Sequence, residues 1–327
     1  MRFDEPCSFR ALKGGSVLIV TVWVLFLLGI LAAAVGVQAA RRLDVSARLR
    51  GRVQAYAAAR AGVATAVAVL EFHTNVWTAL SERWGSSPDD FRDISCGNGR
   101  FSVVRAPEEV TSGGVTNYGA SDESARIDVN RAPPDVIRGL LIVAGGLPPA
   151  AADELSRVVS RLSATRRGPK PADTNSFLCV YDLLGVTGVD DALFRRIEPY
   201  ITVHSGTRLI NINTAGSVVL ESVLRRSSTT VVGGATVSGL IRKILQFRIG
   251  GGIFTTQAGL AVTLSRSVEL DGDEGGLLNN LAPAVSVASD RFRIVSEGEC
   301  LVGRRFQRRI ECVWNRAARR FESWNED

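Results

Sequence analysis

The feature that most constrains this chain is an uncharged, apolar run over residues 17–40. A Lys-Gly-Gly-Ser segment at residues 13–16 precedes the run, and two arginines at residues 41–42 follow it. A helix of about 20 residues, rising about 1.5 Å per residue, crosses the hydrocarbon core of a membrane, so the run predicts a membrane-spanning helix. It is too long for the apolar core of a secretory signal peptide, and no small-x-small cleavage site closes it. An ordinary signal anchor with a coincidental pair of glycines is the alternative interpretation.

The helical pattern continues beyond the membrane segment. From Ser16 to Phe72 the chain contains no proline, is rich in alanine and repeats apolar residues at i, i+3 and i+4. One continuous helix of about 57 residues would be on the order of 85 Å long. Its outer half carries a stripe of small residues, which are Ala55, Ala58, Ala59, Gly62 and Ala66. We expect this stripe to pack closely against sister helices, unless the chain forms a membrane helix and a separate amphipathic helix instead.

Composition limits the classes of function. The chain has 327 residues and is 46% hydrophobic, which allows two modest domains besides the helix. Its net charge of +6 is mild and its basic residues are interspersed with acidic ones, so a nucleic-acid partner is permitted but not required. The two histidines, His73 and His204, are far apart and no Cys-x-x-Cys motif is present, which argues against a zinc site. The common catalytic glycine-loop, H-E-x-x-H and G-x-S-x-G motifs are also missing, so we predict that the chain is not an enzyme.

The soluble part alternates between two kinds of pattern. Residues 100–105, 126–130, 290–296 and 308–314 alternate apolar and polar side chains as strands do. Residues 133–264 are typical of short helices that end at pairs of glycine or proline residues. A small sheet, split in sequence by a helical insertion, is the simplest architecture that contains both.

A repeat lies inside this insertion. Residues 127–132 (Ile-Asp-Val-Asn-Arg-Ala) are matched by residues 210–215 (Ile-Asn-Ile-Asn-Thr-Ala), so that Asn130 and Asn213 stand in identical places. We expect Asn or Thr to end a short strand in each copy and to cap the helix that follows. A glycine-bearing break and a second helix then follow in each copy, at residues 150–162 and 237–247.

The N-terminal segment resembles the class III leader of type IV pilins and type II secretion pseudopilins, in which a short charged leader and a glycine precede an apolar helix. This resemblance implies that prepilin peptidase cuts between Gly15 and Ser16 and that the new N-terminal amine is methylated. Ser16 would then be mature residue one and Val20 the fifth residue. Most members of the class carry glutamate at this fifth position, and the large minor pseudopilin K habitually lacks it.

Four internal segments also resemble the pseudopilin K family, also called general secretion pathway protein K. Residues 127–132 resemble the family's Ile-Asn-Leu-Asn-Thr-Ala, with Asp for Asn and Arg for Thr. Residues 182–189, 199–203 and 211–215 follow the family pattern nearly unbroken. The resemblance implies an α+β fold with a long N-terminal transmembrane helix and a pilin-like α/β domain. An inserted all-helical domain, containing duplicated helix-hairpin-helix-like units, would interrupt that domain.

The expected division of the chain follows from these matches. It comprises a prepilin leader (1–15), the transmembrane helix and stem (16–72), the first part of the pilin-like domain (73–130), the inserted helical domain (131–285) and the C-terminal strands (286–327).

The resemblance implies a minor pseudopilin that caps and initiates the pseudopilus of the type II secretion system, which exports folded periplasmic proteins. Its implied partners are other minor pseudopilins of the tip complex, prepilin peptidase, the inner-membrane secretion platform and membrane lipid, with no nucleic acid. We therefore expect a single-pass protein of the cell inner membrane with its soluble body in the periplasm. Six arginines between residues 41 and 60 would favour the reverse orientation by the positive-inside rule. We give the leader precedence, because the peptidase reaches Gly15 from the cytoplasm.

Two further sites are hypotheses that depend on this periplasmic placement. Cys7 would leave with the leader, and Cys300 and Cys312 flank a predicted hairpin turn at residues 302–304, so they are the best candidates for a disulfide. Buried reduced thiols are the alternative. Asp271, Asp273 and Glu274 form a compact acidic loop that could bind calcium, as family members do, although a solvated acidic turn explains the same residues. No other cofactor is indicated.

A membrane-anchored DNA-binding protein is the alternative function. Residues 184–188 (Leu-Gly-Val-Thr-Gly) resemble a helix-hairpin-helix turn, in which backbone N–H groups approach a phosphate. Arg195 and Arg196 follow this turn, and the doubled Asn-Ala unit occurs in competence-type DNA-binding proteins as well. Against this alternative, Asp190 and Asp191 come directly after the turn, where they would repel a phosphate.

Overall fold

The computed structural model describes residues 15–72, 75–105, 117–165, 177–225, 234–300 and 305–327. Residues 1–14 of the predicted leader, His73 and the predicted turn at residues 302–304 lie outside these ranges. The longest element is α1 (Gly15–Glu71), a single helix of 57 residues. One continuous helix is therefore confirmed, and its sequence explains it, because alanine favours the helix and no proline removes a backbone hydrogen bond.

After α1 the chain forms a short helix, α2 (Pro88–Phe91), and the first strands of an antiparallel sheet. These strands are β1 (Ile94–Cys96), β2 (Gly99–Arg105), β3 (Asn117–Tyr118) and β4 (Ser121–Asp122). A 3-10 turn at Glu123–Ala125 leads from β4 into the helical insertion.

The insertion consists of two tandem copies of one structural unit. The first unit contains β5 (Ile127–Asp128), α3 (Pro134–Val143), α4 (Pro149–Thr165), a 3-10 helix (Val180–Gly185), α5 (Asp191–Ile197), a 3-10 turn (Glu198–Tyr200) and β6 (Ile201–Thr202). The second contains β7 (Ile210–Asn211), α6 (Ser217–Leu224), α7 (Gly234–Ile249), α8 (Leu260–Ser265), α9 (Gly272–Leu281), a 3-10 turn (Ala282–Ala284) and β8 (Val285–Ser286). In each unit the first and last strands pair in parallel, β5 with β6 and β7 with β8.

The duplication therefore extends over residues 127–202 and 210–286, whereas the sequence indicated only the first half of each copy. The second helix predicted in each copy is confirmed, as α4 and α7. The later halves were not recognised because their helices differ in length and type between the copies. Their common order of a helix, a 3-10 turn and a short parallel strand is visible only in three dimensions.

The chain then returns to the sheet through β9 (Arg291–Cys300), β10 (Phe306–Asn315) and β11 (Arg320–Glu326). The strand order is β1-β2-β9-β10-β11, with β3 on β2 and β4 on β9. The segments predicted at residues 100–105, 290–296 and 308–314 are thus confirmed as strands of one sheet, split in sequence by the insertion. The strand predicted at residues 126–130 is shorter and belongs to the insertion instead.

The small-residue stripe of α1 packs against this sheet, which corrects the expectation that it packs against sister helices. Its alanines are buried, and a Cβ atom added to Gly62 would collide with the Ser296 hydroxyl. On the sheet side, Gly298 lies so close that an added Cβ would collide with the Ala55 carbonyl. Small side chains on both surfaces allow the helix and the sheet to approach closely. The stripe therefore joins the stem to the body of its own chain.

The buried apolar side chains form two clusters. One joins α1 to the sheet and includes Trp84, Phe101 and Phe292. The other lies within the two helical units and extends from Ile127 to Val285. Sheet and insertion thus each have their own apolar core, as the predicted α+β fold with an inserted helical part requires.

Candidate assembly surface and the junction that supports it

The N-terminal half of α1 is an apolar rod without contacts to the rest of the described chain. Among the residues that the structure describes, α1 is the one helix long and apolar enough to cross a membrane. The most apolar stretch of this helix is entirely exposed. Val20, Trp23 and Phe26 are all exposed on this rod. Exposed apolar surface of this extent is stable in hydrocarbon and unfavourable in water, which is consistent with a single-pass anchor.

The outer half of α1 presents a second small-residue stripe on the side opposite the sheet. Ala57, Ala64 and Ala68 are exposed and Ala61 is partly exposed, at spacings that place them on one helix face. We call these four alanines the outer stem face. Small side chains let another helix approach the backbone closely. This face is therefore the candidate assembly surface, in place of the buried stripe.

An open cavity of about 460 Å³ adjoins the outer stem face near the end of α1. Ala68 and Phe72 line it from the helix, and Arg83 and Trp84 line it from the segment that follows. Phe72 is largely exposed. The candidate assembly surface thus widens into a partly apolar groove, in which a partner side chain would bury apolar area.

A buried polar junction connects the sheet to the helical insertion, and Asp122 on β4 is its centre. Its Oδ2 accepts hydrogen bonds from Thr214 Oγ1 (2.6 Å), Ser289 Oγ (2.7 Å) and Asn211 Nδ2 (2.9 Å). Its Oδ1 accepts from the backbone N–H of Ser124 at 2.7 Å. Burial raises the pKa of Asp122 to about 6, although these hydrogen bonds oppose the rise.

The neighbouring Glu123 makes the second connection of the junction. Its side chain accepts a hydrogen bond from Arg293 Nε on β9 at 2.8 Å and another from the Thr202 hydroxyl on β6. Arg126 lies 3.7 Å from the same carboxylate. Burial alone would raise the pKa of Glu123, but the charges of Arg293 and Arg126 outweigh it and lower this pKa to about 2. Two adjacent carboxylates thus attach both helical units to the sheet.

This junction is not evident from the sequence. Asp122 and Glu123 lie in a short polar segment whose local sequence resembles that of a solvated turn. Their partners come from β6, β7, the start of the second unit and β9, which are far apart along the chain. The one sequence signal is the segment Asn211-Ile-Asn-Thr214, which belongs to the second copy of the repeat.

The two repeated asparagines hold a loop in each unit and do not cap a helix as expected. Asn130 Nδ2 donates to the Phe177 carbonyl at 3.0 Å, and the Phe177 N–H donates back to Asn130 Oδ1 at 2.9 Å. Asn213 makes the same pair of bonds with Phe254, both at 2.9 Å. The helices that follow begin after Pro133 and Gly216 without a side-chain cap. Asparagine is needed here because its amide group pairs with both polar atoms of one peptide backbone residue.

The predicted disulfide between Cys300 and Cys312 is wrong, because both residues are buried free thiols. In the β9–β10 register Cys300 faces Phe306 and Cys312 faces Ile294. The two cysteines are therefore six strand positions apart, about 20 Å, whereas a disulfide requires Cα atoms within about 7 Å. Burial, with a smaller contribution from Glu311, raises the pKa of the Cys312 thiol to about 12.

The acidic loop proposed for calcium begins helix α9. Asp271 is its N-cap, with Oδ1 accepting from the Glu274 N–H at 2.7 Å, and Glu274 accepts in return from the Asp271 N–H at 3.0 Å. Lys243 Nζ donates to the buried Glu274 carboxylate at 2.6 Å, while Asp273 is exposed in the first turn. Within the described ranges, no cluster of three or more His, Cys, Asp or Glu side chains could hold a metal ion. The positions of Asp271 and Glu274 are therefore explained by helix capping and by the ion pair with Lys243, without a bound cation.

An acidic residue follows the turn considered for DNA binding and lies at the start of the next helix. Asp190 caps α5 by accepting a hydrogen bond from the Leu193 N–H at 2.7 Å. Gly188 has φ +96°, a conformation that favours glycine, so its presence has a structural cause. Arg195 and Arg196 are exposed on the last turn of the same helix. A phosphate approaching the start of α5 would meet the Asp190 carboxylate, which disfavours the DNA-binding alternative.

No family model matches the sequence, and no curated protein matches it. The fold is similar to that of a chain in the crystal structure of the GspK-GspI-GspJ complex from the enterotoxigenic Escherichia coli Type 2 Secretion System. The TM-score is 0.55 and the sequence identity is 13%. The match covers 88% of this chain and 99% of that chain. The predicted fold class, in which a long apolar helix leads into a mixed α and β body, is thereby confirmed.

Proposed function

We propose that this chain is a minor pseudopilin of the type II secretion system, of the general secretion pathway protein K type. It would cap the pseudopilus and initiate its growth together with other minor pseudopilins, and so drive the export of folded periplasmic proteins. The observation that carries the proposal is the combination of an apolar helix continuous with a sheet-bound stem and an inserted, duplicated helical part. The similarity of this whole arrangement to a chain of the GspK-GspI-GspJ complex supports it.

The membrane end of α1 is the anchor in this proposal. Prepilin peptidase would cut after Gly15, and the amine of Ser16 would be methylated. Residues 16–40 would remain in the inner membrane with the soluble body in the periplasm. The exposed apolar surface of this segment supports the placement. Contacts with membrane lipid and with the inner-membrane secretion platform follow from the same placement.

Val20 gives a reason for a position at the tip. A carboxylate within the membrane is costly unless it is paired, so glutamate at the fifth mature position would serve to dock a subunit onto the terminal amine of a neighbour. Val20 offers no such carboxylate. The chain therefore lacks one of the contacts that a subunit would use to join beneath an earlier one, and later subunits would be added below it.

The outer stem face is the surface by which the stem would pack against counterparts of GspI and GspJ. It is available because the other small-residue stripe of α1 is covered by the chain's own sheet. The helical insertion, which consists of the units at residues 127–202 and 210–286, would then lie at the top of the tip. There it could contact secreted proteins or the outer-membrane channel, with Asp122 and Glu123 fixing its position on the sheet.

The test of this proposal is the N-terminus of the mature protein. Material isolated from cells that contain prepilin peptidase should begin at Ser16. Gly15→Ala should block removal of the leader and give a product about fifteen residues longer on a gel, while Gly14→Ala, the matched control, should be processed normally. A normally shortened Gly15→Ala product would refute the pseudopilin assignment.

The DNA-binding alternative is tested separately. A membrane-anchored helix-hairpin-helix receptor should bind duplex DNA at micromolar concentration, with an affinity that falls steeply as salt is raised. We expect the detergent-solubilised chain to give no mobility shift at low salt. A salt-sensitive shift that is lost in the double variant Arg195→Gln, Arg196→Gln would favour the alternative.

A further inference from the structure

A cavity of about 330 Å³ lies where the sheet meets the second helical unit. Arg105 at the end of β2 and Asn117 at the start of β3 line it from the sheet. Leu245, Arg248 and Ile249 line it from α7. Its volume corresponds to the lower end of the range for small-ligand sites. None of the functions discussed above uses this cavity.

Arg105 is the unusual residue of the cavity, because its guanidinium group is buried and forms no ion pair with a carboxylate of the described residues. The residue is only 7% exposed. Its Nη1 donates to the Gly85 carbonyl at 2.7 Å, whereas its buried Nε has no hydrogen-bond partner in the described part of the chain. A buried charge that is not balanced by an opposite charge is costly, and a buried donor without an acceptor adds to that cost.

A second unsatisfied donor lies beside the first. Asn117 is directly opposite Arg105 in the antiparallel β2–β3 pair, which places their side chains close together. The Asn117 Nδ2 atom is also buried and has no hydrogen-bond partner among the described residues. Two neighbouring buried donors that both lack an acceptor indicate a position where a ligand supplies the acceptor.

The rest of the lining defines the chemistry of that ligand. Arg248 adds a second positive charge, with its Nη1 donating to the Ala215 carbonyl at 2.5 Å. The described residues around the cavity include no aspartate or glutamate, and Leu80, Leu245 and Ile249 provide apolar wall. A ligand with an anionic acceptor would match the donors of the cavity, and an apolar group beside that acceptor would match its apolar wall.

We propose that this junction cavity binds a carboxylate carried on a small apolar group, such as the C-terminal residue of a polypeptide or a free aliphatic carboxylic acid. One carboxylate oxygen would accept from Arg105 Nε and the other from Asn117 Nδ2, and the aliphatic part would lie between Leu80 and Leu245. Arginine suits this role because its planar donors match the geometry of a carboxylate. The inference goes beyond the proposed function and does not depend on it.

The test compares N-acetyl-L-leucine with N-acetyl-L-leucine amide, which has nearly the same shape but no charge. Titration into the full chain in neutral detergent, followed by calorimetry, should give saturable binding of the acid at concentrations up to about 10 mM. The acid should bind at least about tenfold more tightly than the amide, because the amide cannot neutralise Arg105. A peptide ending in Ala-Leu, with a free or an amidated C-terminus, then distinguishes a polypeptide ligand from a free acid.

Variants separate the proposed contacts from general effects on folding. Arg105→Gln should weaken binding of the acid about tenfold or more and leave binding of the amide unchanged. Ile249→Trp keeps Arg105 in place and should block the mouth, because Ile249 is 75% exposed at the cavity edge. Arg242→Gln, which removes an exposed arginine of the same helix α7, is the matched control and should bind as the unaltered chain does.

Three results would overturn the proposal. They are equal affinity for the acid and the amide, absence of saturable binding by either compound, and unchanged binding of the acid by a folded Arg105→Gln variant. None of these results would affect removal of the leader after Gly15, so the two proposals fail independently.

Discussion

Asn213 and Phe254 are joined by two reciprocal hydrogen bonds of 2.9 Å, in which the asparagine amide pairs with the backbone of the phenylalanine. Asn130 and Phe177 form the same pair in the first helical unit. Both phenylalanine side chains are fully buried. Each asparagine thus acts as a substitute strand partner that holds a loop over the core of its unit. The repeated Asn in the sequence is explained by this pairing.

Asn213→Leu should destabilise the chain by about 2–4 kcal/mol, because it leaves a buried N–H and a buried carbonyl of Phe254 without partners. The measurement is the free energy of unfolding by urea, followed by tryptophan fluorescence in detergent. Asn280→Leu, at an exposed position of α9, should change the free energy by no more than about 0.5 kcal/mol. Equal effects of the two substitutions would contradict the pairing.

Asp122 should make stability depend on pH between about 4 and 6. Burial raises its pKa from 3.8 to about 6, so the folded chain holds this proton more tightly than the unfolded chain does. The contribution of Asp122 to stability is therefore complete below about pH 4 and is lost as the pH rises through 6. The expected loss is roughly 2–3 kcal/mol of unfolding free energy, measured by urea unfolding at a series of pH values.

Two variants test whether Asp122 is the group responsible for this pH dependence of stability. Asp122→Asn should remove the larger part of the slope between pH 4 and 6, whatever its effect on overall stability. Burial also raises the pKa of Asp128, and this group accounts for the slope that remains. Glu123→Gln should keep that slope, because the charges of Arg293 and Arg126 lower the Glu123 pKa to about 2. The stabilising contribution of Glu123 is present above about pH 4.5 and is lost only as the pH falls through 2. A slope that is unchanged in Asp122→Asn would show that another group is responsible.

Gly298→Ala should destabilise the contact between the stem and the sheet by about 2–4 kcal/mol, because the new methyl group would collide with the Ala55 carbonyl. Backbone on the facing helix cannot move aside as a flexible side chain would. Gly276→Ala is the comparison, since the space around Gly276 in α9 is open. This second substitution should stabilise the chain by up to about 1 kcal/mol through helix propensity. Urea unfolding measures both, and a neutral Gly298→Ala would refute close packing here.

Ala64→Trp tests the outer stem face. Ala64 is exposed, so the substitution should leave the free energy of unfolding within about 0.5 kcal/mol of its original value. The bulky ring should prevent close approach of partner helices and reduce co-purification with other minor pseudopilins at least about tenfold. Ala151→Trp, at an exposed position of α4, should not change co-purification. Undiminished recovery of partners with Ala64→Trp would exclude this face as the assembly surface.

Most of the architecture was predictable because its signals are local. The apolar run and the lack of proline predicted α1 as one helix, and alternation predicted the strands of the β9–β10 hairpin. The repeat around Asn130 and Asn213 predicted two similar helical units. Each of these inferences depends on neighbours within a few turns or a few strand positions, where side-chain period and backbone geometry are directly coupled.

The functional detail was less predictable, because residue type alone does not reveal a partner. Cys300 and Cys312 are close in sequence on two paired strands, yet the hairpin register separates them. Asp271 and Glu274 have the composition of a cation site, yet they form the capping box of α9. In both cases a feature of the surrounding backbone determined which contacts the side chains make.

The sequence alone was sufficient to predict the apolar anchor, the continuous stem, the split sheet and the existence of a duplicated insertion. Each of these features depends on the spacing of residue types along the chain. Only the folded structure determined which face of α1 packs against the sheet and which face is exposed. Gly62 lies against Ser296, and Asp122 contacts Thr214 and Ser289, only in the folded chain, where segments that are distant in sequence lie together. Burial raises the pKa of Asp122, whereas the nearby arginines lower that of Glu123, because a pKa depends on all the groups around the carboxylate. Close packing against the sheet likewise covers one small-residue stripe of α1 and leaves the outer stem face exposed for a partner.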